Sequence, residues 1–141
     1  MSTPWRYQLR IDLSEELAAV ARHNPDDPSL RPLKEILRQH EARLTCQYDA
    51  FAAYVAEAER HGTAGYPLYR WTRATIEDPA KRAKYLKSFT VYVDGQETYS
   101  SDQADALEAE LRPLVGQTIA RLARHDTNPE NNPQPPAQYR S

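Results

Sequence analysis

The sequence predicts an α+β fold, with a mostly antiparallel sheet of about four to five strands and helices packed on one face. Three observations lead there. Residues 5–13 alternate apolar and polar side chains, the period of a strand with one buried face. Asp94-Gly95 follows a β-rich run, and a tight type I′ turn needs positive φ at both central positions. Capped amphipathic stretches lie between these signals, so helices and strands alternate along the chain. A ferredoxin-like arrangement is the specific form expected.

In the first strand Trp5, Tyr7, Leu9, Ile11 and Leu13 share one face and Arg6, Gln8, Arg10 and Asp12 the other. Ser14 can cap a helix because its hydroxyl accepts from free first-turn N–H groups, and Glu15 and Glu16 suit the positive end of the dipole. That helix should stop near His23, before Asn24-Pro25. Ser29 can cap the next one, with Pro32 in its first turn.

From Leu33 to His61 there is neither Gly nor Pro, and Leu33, Leu37, Leu44, Tyr48, Phe51, Val55 and Ala58 fall on one helical stripe. One unbroken helix would be a rod of about 48 Å. A domain of this size spans only about 35 Å. Thr45-Cys46-Gln47-Tyr48-Asp49 is also poor in helix formers. The alternative divides the segment into a helix to His40, a strand over 43–49 and a helix over 50–61. Both readings stand on the sequence.

Gly62 reads as a helix stop, and Leu68–Ile76 as a strand with Tyr69, Trp71 and Thr75 on one face. Asp78-Pro79 opens a short helix to about Lys87. Ser88–Val93 is a strand, and Gln96–Tyr99 should return beside it as a hairpin. Ser100 and Gln103 make a capping-box pattern for a last helix carrying Leu107, Leu111, Leu114, Val115, Ile119 and Leu122. Pro113 should kink or divide it. The expected organisation is one globular domain over residues 1–125 and a disordered Pro/Asn-rich tail over 126–141.

With 40 % hydrophobic and 27 % charged residues the chain is in the globular range. Cys46 is the only cysteine, so no internal disulfide can form. A single thiol, no apolar run of membrane-spanning length and no signal-peptide pattern point to the cytoplasm. A net charge of −2 makes no global case for nucleic acid or anionic lipid.

No residues show the spacing of a catalytic or cofactor motif, so no cofactor and no metal are expected and an enzyme is disfavoured. His23, His61 and His125 read as residues at helix C-termini, where an imidazole favours the negative dipole end, and His40 completes the four. Cys46 lies six residues from His40, on a different helical face, and reads as a small buried thiol rather than a nucleophile.

Charge segregation is the most distinctive feature. Arg70, Arg73, Lys81, Arg82, Lys84 and Lys87 face only Glu77 and Asp78 in their stretch. Asp94, Glu97, Asp102, Asp105, Glu108 and Glu110 then follow without a basic residue. Two solvated faces would explain this, as would complementary patches that steer association with a second copy or a charged partner. Tyr66, Tyr69, Trp71, Tyr85 and Tyr92 thread the basic region, in a composition suited to a protein interface.

The leading expectation is therefore a small binding or regulatory module, a homodimer or bound to a protein partner. Its surface combines Tyr69, Arg70, Trp71 and Arg73 with Lys81, Arg82, Lys84 and Lys87. One alternative is a small-molecule or enzymatic pocket lined by Tyr7, Trp71 and Tyr92. Another, the weakest, is single-stranded nucleic acid on an aromatic and basic sheet face.

Overall fold

Strand β1 (Tyr7–Asp12) forms where the period-two pattern requires it, with Leu9 and Ile11 fully buried. The computed structural model describes residues 5–127. Ser14 caps α1 (Glu15–His23) by accepting from the Leu17 N–H. A short 3-10 turn leads into α2 (Arg31–Gln39), followed by β2 (Ala42–Cys46) and α3 (Gln47–His61). The divided reading of residues 30–61 is therefore the observed one, displaced by a few residues. Asp94 donates to the Glu41 carbonyl, and Glu41 sits at φ 53, so the chain reverses sharply between α2 and β2.

Between α3 and β3 (Ser88–Val93) come a 3-10 turn over Thr63–Gly65, α4 (Tyr69–Glu77) and α5 (Pro79–Leu86). The strand expected over 68–76 is instead α4. Its aromatic and β-branched residues favour a sheet locally, but packing against α3 overrides that preference. Leu68 N–H donates to the Tyr54 hydroxyl, and the Tyr69 hydroxyl donates to Glu59. Tyr69, Arg73 and Glu77 then link at i,i+4 along the helix. Asp78 caps α5 by accepting from the Ala80 and Lys81 N–H groups, with Pro79 at the first helical position.

After β3 the expected turn is present, with Asp94 at φ 51 and Gly95 at φ 75. The expected partner strand is not. Beyond Val93 and Gln96 the chain leaves β3, and Tyr99 pairs with Tyr7 of β1. α6 (Ser101–Leu111) begins with the full capping box of Ser100 and Gln103. It is shorter than expected. Pro113 has no N–H to continue the helical ladder, and after a 3-10 turn and Gly116 (φ 92) residues 121–126 form β4 (Arg121–Asp126). The helical placement of Leu122 and His125 is thereby corrected, since both lie on a strand. Asp126 closes β4, and Thr127 donates its N–H to the Arg6 carbonyl. From Asn128 on, the expected tail lies outside the described residues.

The sheet runs β2-β3-β1-β4 with every neighbouring pair antiparallel. β1 and β2 are thus parallel and flank β3, while β3 and β4 are parallel and flank β1. Each parallel pair is joined by core helices, α1 and α2 for the first and α6 for the second. Leu9, Ile11, Phe89, Val91 and Val93 cluster with Ala18, Leu33, Leu37, Ala104, Leu107 and Leu111. All of these are nearly or fully removed from water. The second face of the sheet is polar.

Tyr99 occupies a special place in this core. It is 1 % exposed, and its hydroxyl accepts from Leu9 N–H at 2.7 Å and donates to the Val91 carbonyl at 2.9 Å. Leu9 and Val91 are the last paired residues of β1 and β3. One phenol therefore substitutes for a direct ladder bond and lets the strands separate around its ring. Burial pushes its pKa up, which keeps the hydroxyl a donor.

Candidate functional site

Two surfaces remain once the core is assigned. The first is the helical excursion between β2 and β3. Neither α4 nor α5 contains a fully buried residue, although the excursion is rich in rings. Phe51 meets Tyr85 edge-on at 5.1 Å, and Tyr54 meets Tyr66 at 5.5 Å. Tyr69 and Trp71 are half-covered, and Leu68 is 42 % exposed.

The eight sequence-predicted site residues are all on this excursion or at its end, but they differ in their company. Arg73 is held by Glu77 at 2.9 Å and by the Tyr69 hydroxyl, which raise its pKa, and lies near Glu59. Arg82 stands 5.4 Å from the Tyr48 ring centre and Lys84 stands 5.3 Å from that of Tyr85. Among the described residues, Arg70, Lys81, Arg82, Lys84 and Lys87 have no carboxylate within ion-pair distance. Tyr69 and Trp71 lie on a helix rather than on a sheet face, which removes the stacking platform imagined for bases.

The acidic stretch is not the counterpart of these cations. Asp105 and Glu108 pair with Arg124 of β4, Glu108 also with Arg112, and Glu110 with the His40 imidazole. Arg124 lies 4.4 Å from the Tyr7 ring centre, so this guanidinium adds a polar tie between α6 and the sheet. Much of the negative stretch is spent inside the protomer. The basic one is not.

The second surface is the polar face of the sheet, which sequence reasoning missed. Register places Gln8 opposite His125, Arg10 opposite Ala123 and Asp12 opposite Arg121 on one side. Thr90 and Ser88 flank Arg10 and Asp12 on the other. Arg10, Asp12, Gln47, Lys84, Tyr85, Ser88, Arg121, Ala123 and His125 line a cavity of about 160 Å³. Arg10 Nε–H donates to Gln8 Oε1 at 2.6 Å, and Gln8 Nε2 donates to the Glu97 carbonyl at 3.2 Å. Ser88 donates to Asp12 at 2.5 Å. The available signal was the polar half of the period-two pattern, Gln8-Arg10-Asp12, but nothing in the sequence announced β4 beside it.

Burial, Arg10 and Arg121 lower the His125 pKa, against a smaller opposing effect of Asp126. A depressed imidazole pKa means the unfolded chain takes the proton more readily. Stability from this group is thus complete above its unfolded pKa near 6.5 and is lost as pH falls through the depressed folded value. His125→Gln should therefore flatten the decline in stability between neutral and mildly acid pH, measured by urea unfolding at stepped pH. An unchanged decline would contradict it.

Other expected sites do not assemble. Tyr7 and Tyr92 lie on opposite faces of the sheet, because Tyr92 shares the face of Arg43 and Tyr7 that of Leu9. Trp71 is on α4. The pocket proposed from these three is not formed. Cys46 is buried, its thiol beside the Tyr85 and Leu86 carbonyls, and burial raises its pKa away from thiolate reactivity. Among the described residues no cluster of His, Cys, Asp or Glu could hold a metal, and no helix is long and apolar enough to cross a membrane. A larger cleft of about 550 Å³ runs between α2 and the edge of β2, lined by Leu30, Leu33, Leu37, Ala42 and Leu44 with Phe89 at its floor. Comparison with protein-family models, with curated proteins and with solved structures finds no match to this chain.

Proposed function

We propose that this chain is a small cytoplasmic binding module, ferredoxin-like in its sheet, that recognises an acidic protein surface through the α4–α5 excursion. The observation that carries the reading is the combination on two adjacent helices of no fully buried side chain, half-covered rings and unpaired cations. A fold does not need these helices to complete its core, since the buried cluster is built from the sheet, α1, α2 and α6 with the residues that flank them. Half-covered aromatic residues beside arginine are the composition of interface centres. The surplus positive charge selects the sign of the partner and speeds encounter with it.

An acidic partner is favoured over a second copy because Asp105, Glu108 and Glu110 already have intramolecular partners. The experiment is retention of a fluorescent decaglutamate peptide and of a decathymidylate, with sedimentation equilibrium of the chain alone at low and high salt. The expected result is a monomer that retains the peptide. Arg70→Gln combined with Arg82→Gln should weaken retention at least tenfold, about 1.4 kcal/mol. Retention of the oligonucleotide alone would replace this reading with nucleic-acid binding. A salt-sensitive dimer would replace it with self-association, and retention of neither probe would end it.

A further inference from the structure

We propose that the polar face of the sheet holds a compact tetrahedral oxyanion, phosphate or the phosphate group of a phosphomonoester, between Arg10, Arg121 and Lys84. This site is independent of the partner surface on α4–α5, although Lys84 of α5 borders both.

Arg10 is the first reason. It is only partly exposed, in a central strand, and desolvation lowers its pKa. No carboxylate lies within ion-pair distance of it among the described residues, and Gln8 uses only its Nε–H. Both Nη atoms are therefore left with donors and no protein acceptor among the described residues. A partly desolvated cation gains from an anion that reaches its open Nη side, in addition to the stabilising influence of Glu97. Gln8 is itself buried and tied to Glu97, so the guanidinium is held in place before a ligand arrives.

The second reason is the room beside it. Ala123 stands opposite Arg10, and its methyl group leaves the space that a larger side chain would fill. A cavity of about 160 Å³ has the capacity of roughly five waters at ~30 Å³ each. That accommodates a phosphate group with part of its hydration.

The third reason is the arrangement of charge. Donors come from three elements, Arg10 on β1, Arg121 on β4 and Lys84 on α5, with His125 alongside. Asp12 is the cavity's carboxylate, and it accepts from Ser88 instead of forming an ion pair. Donors approaching from three directions suit a tetrahedral anion better than a planar carboxylate, and arginine binds phosphate bidentately. Glu97, reached through Gln8, offsets part of the charge of Arg10, and Arg121 and Lys84 leave the cavity net positive, which favours an anion.

The test is titration with inorganic phosphate at neutral pH and constant ionic strength, followed through the His125 ring signals. We expect a saturable shift at one site. Arg10→Met should weaken binding at least tenfold, and so should Arg121→Gln, an exposed position whose change leaves the fold intact. Arg70→Gln on α4 should leave phosphate binding unchanged. If Arg10→Met does not fold, Arg121→Gln decides. A response that never saturates overturns the proposal. So does binding unchanged by Arg121→Gln, or acetate saturating the site as tightly as phosphate.

Discussion

Tyr99→Phe is expected to lower stability by about 2–4 kcal/mol, although it removes a single oxygen atom. The hydroxyl serves two buried main-chain groups at once, the Leu9 N–H and the Val91 carbonyl. The phenylalanine ring would still fill the same space, so cavity formation contributes little. What remains is two polar groups without a partner, each costing about 1–3 kcal/mol. For a chain of this length that corresponds to a fall of roughly 10 °C in Tm. Thermal unfolding checks the magnitude, and amide exchange at Leu9 checks the cause, since that N–H should exchange faster in the variant. If the loss stays below about 0.5 kcal/mol, the two strands have closed up and bonded directly, and the wedge is dispensable.

Leu107→Ala is expected to cost about 3–5 kcal/mol. Leu107 is fully buried on the stripe Ala104-Leu107-Leu111 that seats α6 against the sheet. Total stability of a small domain is only about 5–15 kcal/mol, so the variant should be close to unfolding at body temperature. Leu68→Ala is the informative control. That side chain is 42 % exposed at the start of α4, and its loss should change stability by less than about 0.5 kcal/mol. Denaturant unfolding of both variants distinguishes a core helix from an appended one. Equal losses at the two positions would show that the excursion is part of the core, and the partner surface proposed on it would lose its basis.

Much of the architecture was legible before the structure. Ser14, Asp78 and Ser100 cap the helices they were expected to cap, because a cap needs only a hydroxyl or carboxylate a few atoms from its own backbone. Asp94-Gly95 turns as expected for the same local reason. β1 was legible because one of its faces is apolar throughout.

The errors also have physical causes. Residues 68–76 carry β-favouring side chains, yet the contacts to Tyr54 and Glu59 of α3 make a helix there. The spacing of Leu111, Leu114, Val115, Ile119 and Leu122 imitates a helical stripe, but the helix ends at Leu111, before Pro113, and Leu122 lies on β4. Its Leu122, Arg124 and Asp126 face the core helices, where Arg124 substitutes an ion-pair network for burial of an aliphatic chain. Gln96–Tyr99 is expected beside β3, but β1 and β2 occupy both sides of β3, so the chain crosses to pair Tyr99 with Tyr7 at the end of β1.

By itself the sequence determined the α+β class, the caps, the turn and the uneven distribution of charge, all of which depend on residues within a few positions of one another. The tertiary structure alone decided the strand order, which charges meet, and which face of the sheet is left polar. Those depend on residues distant in the chain, such as Arg10 and Arg121 or Arg124 and Asp105, brought together only when the core closes. Local chemistry is written in adjacent letters, whereas a binding surface is made by the neighbours that folding supplies.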